Sequence, residues 1–77
     1  MNTSELTMAL TQDKWNISYS MKDEKYTIQD NKTYKTLSFY IIKADKCVLE
    51  SSDGLINWTH KSISDLYDHI CFVAHCW

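Results

Sequence analysis

The stretch from Thr36 to His60 most constrains the fold, because it contains the only glycine of a chain that has no proline. Its Asp53-Gly54 dipeptide is the pair preferred in two-residue type I′ hairpins, where both positions need positive φ. The dipeptide therefore predicts an antiparallel hairpin whose register can be counted outward from the turn. The resulting pairs are Ser52 with Leu55, Leu49 with Trp58, and Cys47 with His60.

The preceding hairpin turns around residues 44–46. A three-residue loop places Ile41 opposite Leu49 and keeps the carboxylate of Glu50 off the apolar face. A shift of one residue would move every side chain of the strand to the other face. A loop with an odd number of residues is therefore favoured, because it keeps the apolar side chains on one face. The predicted core face of the sheet carries Leu37, Phe39, Ile41, Cys47, Leu49, Ile56, Trp58 and His60.

The opposite face of this sheet has an apolar centre formed by Tyr40, Ile42 and Val48. Such a centre needs either a covering element or a partner. Residues 3–12 share apolar positions at helical spacing and predict a short helix, capped by Thr3 or Ser4. We expect this helix, if it forms, to cover the Tyr40 centre.

The remaining segments complete a simple up-and-down meander. Residues 15–21 alternate apolar and polar side chains, and a four-residue loop would pair Met21 with Tyr26. Ser62 is a helix cap, and the following apolar residues form a stripe that should lie across the core face. Phe72 falls off that stripe, on the side of Asp65 and Asp68. The predicted strands are 14–21, 25–29, 34–43, 47–51 and 55–60.

These patterns predict an α+β fold: a small antiparallel meander of about five strands, packed on one face by a C-terminal helix, with a short N-terminal helix. We expect one domain over residues 1–77, because a chain of 77 residues is long enough for only one small hydrophobic core. Within it, residues 1–13 form an arm or short helix, 14–60 the sheet, and 62–77 the C-terminal helix.

Charge and cysteine content restrict the expected partners and compartment. The chain has eight lysines, no arginine and a formal charge of −2, which argues against nucleic-acid binding. Three cysteines and no signal-peptide pattern predict reduced thiols in the cytoplasm, and no apolar run is long enough for a membrane. All four asparagines begin Asn-x-Ser/Thr triplets, the acceptor pattern of secreted chains. Without a signal peptide we interpret these triplets as chance.

The residues that bear reactive or metal-binding groups are Cys47, His60, His69, Cys71, His75 and Cys76. Cys47 with His60, and Cys71 with His75, would make a Cys2His2 zinc set if the two pairs faced each other. There is no Cys-x-x-Cys motif, however, and a thiol buried under the helix is inert. We therefore expect structural cysteines, no cofactor and no enzymatic activity.

The sequence favours a noncatalytic interaction module, most simply a stoichiometric inhibitor or adaptor that blocks a surface of a larger host protein. Small anti-defence proteins of phages and mobile elements, including anti-CRISPR proteins, share this profile of size and charge. An inhibitor of a nucleic-acid-binding complex would present carboxylates to its basic surface. The alternatives are a homodimeric structural subunit and a weak nucleic-acid-binding domain. The predicted contact residues are Tyr40, Ile42, Val48, Glu50, Asp23, Glu24, Asp65, Asp68 and Phe72.

Overall fold

A computed structural model describes all 77 residues as one five-stranded antiparallel sheet with two helices on a single face. The strands follow one another in the order β1-β2-β3-β4-β5, so the predicted meander and the α+β class are confirmed. Neither helix is long and apolar enough to cross a membrane. The elements are α1 (Thr3–Gln12), β1 (Trp15–Ser20), β2 (Lys25–Asp30), β3 (Thr36–Lys43), β4 (Lys46–Glu50), β5 (Asn57–His60) and α2 (Ile63–His75).

Both helices begin at a side-chain cap. The Asn2 side chain accepts a hydrogen bond from the Glu5 backbone at 2.8 Å, and the Glu5 carboxylate accepts one from the Asn2 backbone at 3.1 Å. This reciprocal pair makes Asn2 the cap, so the predicted cap at Thr3 or Ser4 was wrong: only Asn2 has a glutamate three residues on. Ser62 caps α2, as predicted, by accepting from the Asp65 backbone at 3.1 Å.

The prediction that α1 covers the Tyr40 centre was wrong, because α1 lies on the core face beside α2. Leu6 and Leu10, four residues apart on one side of α1, are both 0% exposed in the main core cluster. The link to β1 is only two residues long, and Lys14 reverses the chain with a φ of 72°. The short reversal brings Trp15 onto the core face, so α1 has to fold back over that same face.

The β4–β5 register was predicted correctly, but the turn was not. Leu49 pairs with Trp58 and Cys47 pairs with His60. The ladder stops at Glu50 and Asn57, however, and within the Asp-Gly pair only Gly54 has a positive φ, of 74°, so there is no type I′ turn.

The longer β4–β5 loop is held by side chains. Asp53 accepts hydrogen bonds from the Leu55 backbone at 3.0 Å and from the Ser51 hydroxyl at 2.5 Å. Ile56 therefore lies in the loop and is 53% exposed, which makes its prediction as a core residue wrong.

The β3–β4 pairing differs from the prediction by two residues. Ile41 faces Cys47 and Phe39 faces Leu49, so the predicted Ile41–Leu49 pair was wrong. A turn of two residues, Ala44 and Asp45, connects Lys43 to Lys46, which are paired. The register shifts between this pair and the pair of Ile41 with Cys47. This shift is a β-bulge, in which β3 contains one extra residue, Ile42. Because of the extra residue, the two-residue turn leaves the same side chains facing the core as the predicted three-residue loop.

The β1–β2 turn begins earlier than predicted. Tyr19, not Met21, pairs with Tyr26, and their ring centroids lie 4.6 Å apart. Met21 lies in the turn and is 84% exposed. The turn ends at Glu24, whose positive φ of 53° reverses the chain before β2. Tyr26 also stacks on Phe39 at 5.0 Å, which links this hairpin to the centre of the core.

We expect Leu10→Ala to lower the free energy of unfolding by about 2–5 kcal/mol, because it leaves a cavity between α1 and the rest of the core. Met8, on the same helix, is 63% exposed, so Met8→Ala should change that free energy by no more than about 0.5 kcal/mol. Urea denaturation followed by circular dichroism measures both. Equal small effects would mean that α1 is a frayed arm.

Candidate functional site

The outer sheet face, which we define as the face without helices, is mainly polar. Two of the three predicted apolar residues, Tyr40 and Val48, are paired there, and Ile42 lies in the β-bulge near them. Val48 is only 5% exposed, however, and offers little surface to a partner. Most of this face consists of uncharged polar side chains: Asn16, Ser18, Ser20, Thr27, Gln29, Thr36, Ser38, Asn57 and Thr59.

Three of the predicted acidic contact residues lie on or beside the outer sheet face. The Glu50 carboxylate forms the one ion pair of the structure, with Nζ of Lys25 at 2.6 Å. Its hydrogen bond raises the pKa of Lys25 above the usual value. Asp23 and Glu24 are exposed in the β1–β2 turn, where the backbone of Asp23 donates to the Ser20 hydroxyl. Glu50 is thus neutralised within the sheet, whereas the other two remain at its margin.

The exposed side of α2 carries the other three predicted contacts. Asp65, Asp68 and Phe72, which we call the α2 stripe, are spaced three and four residues apart and so lie along one side of the helix. All three are exposed, and Phe72 is 65% exposed. Neither carboxylate takes part in an ion pair. The structure thus brings together an apolar side chain and two unpaired negative charges.

Charge is distributed unevenly between the helices and the remainder of the chain. The two helices contain three carboxylates, those of Glu5, Asp65 and Asp68, and no lysine. All eight lysines lie in the strands and connecting segments, and there is no arginine. The helices therefore carry a formal charge of −3, whereas the remainder of the chain, with eight lysines and seven carboxylates, is close to neutral.

The predicted Cys2His2 set is not assembled. No group of three or more histidine, cysteine or acidic side chains is arranged to hold a metal ion. The three cysteines are free, and burial raises the pKa of the Cys47 thiol. His75 is exposed on α2. Of the four predicted ligands, only Cys47 and His60 lie opposite each other.

His60 instead contacts His69 of α2, and this contact was not predicted from the sequence. We call these two residues the histidine pair. Nε2 of His60 and Nδ1 of His69 are hydrogen-bonded at 2.8 Å, and the Trp58 ring lies edge-on to His69 at 4.9 Å. Burial, and then the proximity of His60, lower the pKa of His69 below its usual value. The pair links the end of β5 to the middle of α2.

A polar cavity of about 440 Å³ lies between the α1–β1 link, the β2–β3 turn and the Trp77 side chain. Its acidic groups are already engaged within the chain. Asp13 accepts a hydrogen bond from the Tyr67 hydroxyl at 2.6 Å, and this bond raises the pKa of Tyr67. Asp30 accepts from the Thr33 backbone and hydroxyl, which lowers the pKa of Asp30. The cavity therefore presents no pair of free carboxylates for acid–base chemistry.

Leu55 is a further exposed apolar residue that sequence reasoning missed. It is 83% exposed and lies next to the half-exposed Ile56 in the β4–β5 loop. Both residues were predicted to lie in a strand, because the Asp-Gly pair indicated a tight turn. The preceding Ser51 and Asp53, which hold the wider loop, were the available signal.

In comparisons with known proteins, the chain matches no family model, no curated protein and no solved structure. Its function is therefore inferred from its own residues and their geometry.

Protonation of His69 should destabilise the fold in acid. Its pKa lies below 6.5 when the chain is folded, so the unfolded chain binds more protons at and below that pH. Stability is thus fully present above pH 6.5 and is lost as the pH falls through the folded-state pKa. In buffer with a chelator, the wild-type melting temperature should drop between about pH 7.5 and about pH 5 by more than that of His69→Gln.

His75→Gln is the matched control, because His75 is exposed on the same helix. It should keep the wild-type pH dependence. Parallel melting curves for the wild type and His69→Gln across this range would contradict the assignment.

Proposed function

We propose that the chain is a noncatalytic interaction module that binds a basic surface of a larger protein through the α2 stripe, and so acts as a stoichiometric inhibitor or adaptor. The observation that carries this proposal is Phe72: an aromatic side chain, 65% exposed, on the same side of α2 as the unpaired carboxylates of Asp65 and Asp68.

Phe72 has the properties of an interface anchor. α2 buries Ile63, Leu66 and Ile70 against the core, so Phe72 is not needed to hold the helix in place. An aromatic ring left in water gains free energy when a partner pocket removes it from solvent. Aromatic residues are also enriched among the few side chains that contribute most of the binding energy at interfaces.

Asp65 and Asp68 define the chemistry of the partner. Neither carboxylate has an ion-pair partner within the chain, and no lysine lies on either helix. Such a surface complements lysine and arginine side chains, and basic surfaces of this kind are where nucleic-acid-binding proteins hold their ligand. Occupying that surface would exclude the nucleic acid, the mode of action expected of an anti-defence protein of a phage or mobile element.

The α2 stripe is a better contact surface than the outer sheet face. Tyr40 is half-buried, Val48 is buried, and Glu50 is neutralised by Lys25. Their surroundings are short polar side chains, which contribute little to protein interfaces. The charge and the exposed aromatic ring both favour α2.

Phe72→Ala should weaken binding to the partner about 30-fold or more, because an anchor of this kind typically contributes about 2 kcal/mol or more. The partner is the protein retained from native host lysate by the immobilised wild-type chain. After its purification, calorimetry gives the dissociation constant for each variant. Adding the wild-type chain should also release nucleic acid from this partner, whereas Phe72→Ala should do so only at higher concentration.

Tyr34→Ala is the matched control, because Tyr34 is also an aromatic residue, 72% exposed, but lies outside the stripe. It should bind like the wild type. Full affinity in Phe72→Ala, or loss of binding on substitution of Tyr40 instead, would exclude the α2 stripe as the contact surface.

One observation favours a second candidate, a homodimer formed through β1. This edge strand, Trp-Asn-Ile-Ser-Tyr-Ser, contains no charge and no proline, and it pairs with β2 without a bulge. Natural edge strands usually carry a charge, a proline or a bulge, each of which prevents pairing with another chain. Tyr19 is 51% exposed beside this edge and would add apolar contact between two copies.

If β1 pairs with a second copy, the wild type should have the mass of a dimer by light scattering, and Ser18→Lys should be monomeric because a charge then lies on the edge. Thr59→Lys, on the opposite edge strand, should remain dimeric. A monomer at all accessible concentrations, or dissociation caused by Thr59→Lys alone, would exclude this interface.

A further inference from the structure

We propose that the histidine pair is a binding site for a late first-row transition-metal ion, with Nε2 of His60 and Nδ1 of His69 as its two protein ligands. Imidazole nitrogens suit Cu²⁺, Ni²⁺ and Zn²⁺. The inference goes beyond the proposed function and does not depend on it, since neither histidine belongs to the α2 stripe.

The spacing of the two nitrogens fits two neighbouring positions on one ion. Ligands at right angles, each about 2.0–2.1 Å from the ion, are about 2.9 Å apart, and a tetrahedral angle would separate them by about 3.3 Å. The observed separation is 2.8 Å. That separation is also the length of a hydrogen bond along the line of the two nitrogens, so both rings must turn slightly before their lone pairs point at one ion off that line.

The two ligands are held by regular elements rather than by loops. His60 ends β5, where it pairs with Cys47, and His69 lies in the middle of α2. Both rings are half-buried, so they are positioned by packing yet remain open to an ion from solvent. Trp58 packs edge-on against the His69 ring, at 4.9 Å between centroids. A site on rigid elements loses little conformational freedom when the ion binds.

The proton balance of binding is simple. In the neutral pair each ring carries one N–H, and one of the two protons lies between Nε2 of His60 and Nδ1 of His69. The ion replaces that shared proton, which moves through solvent to the outer nitrogen of the ring that lost it. Both rings then carry their proton on the outer nitrogen, and no proton is released overall. The remaining coordination positions belong to water or to a donor group of a partner.

Cys47 does not supply a third ligand, although it lies opposite His60. Its thiol is 0% exposed and donates a weak hydrogen bond to the Lys43 carbonyl, with a sulfur–oxygen distance of 3.8 Å. No third histidine, cysteine or acidic side chain joins the pair. The site is therefore bidentate, and its affinity depends on both histidines at once.

The test uses Ni²⁺, which does not oxidise thiols as Cu²⁺ does, and a chain with Cys71→Ser and Cys76→Ser to remove the more accessible thiols. Calorimetry should show one ion per chain. At free Ni²⁺ tenfold above the dissociation constant, the melting temperature should rise by about 6 °C or more. Either His60→Gln or His69→Gln should weaken binding at least tenfold.

His75→Gln removes the only other histidine and is the matched control, so it should bind like the parent chain. If a pair variant fails to fold, the parent alone still decides the outcome: paramagnetic Ni²⁺ should broaden the ring C–H signals of His60 and His69 before those of His75. Absence of binding, equal broadening of all three rings, or full affinity in either pair variant would overturn the proposal.

Discussion

The fold depends on the burial of a single face of the sheet beneath two helices. Every fully buried residue is apolar, and no buried side-chain polar atom lacks a partner. Phe39 lies at the centre of this layer, stacked on Tyr26 and paired with Leu49. Because a chain of this size has only one core to bury, the side chains that could bind a partner or an ion remain at the surface or at the margin of the helical layer. The α2 stripe and the histidine pair both follow from this arrangement.

Period-two alternation was sufficient to predict which face of the sheet is buried, but not which residues pair. Ile41 faces the core whether it pairs with Leu49 or with Cys47, since the two registers differ by an even number of residues. The β-bulge at Ile42 decides between them, and no single residue type marks a bulge. The position of α1 was likewise hidden, because Leu6 and Leu10 show only that a helix has an apolar side. The tight reversal at Lys14 determines which face of the sheet that side covers.

The same distinction separates the site residues that could be predicted from those that could not. Helical periodicity alone placed Asp65, Asp68 and Phe72 together on the outside of α2, because all three belong to one element. The contact between His60 and His69 joins two elements and depends on how far α2 is shifted along β5. Such a shift results from side-chain packing across the whole core, and it leaves no local pattern in the sequence.

The acidic helices lie on one face of a sheet whose strands and turns, with eight lysines and seven carboxylates, are close to neutral. This uneven distribution gives the chain an electric dipole whose negative end lies at the helices, in addition to its small net charge of −2. In the field of a strongly basic protein, such a dipole experiences a torque that turns the helical side forward while the two molecules are still separated by water. Orientation would then precede contact, so added salt should slow association much more than it speeds dissociation.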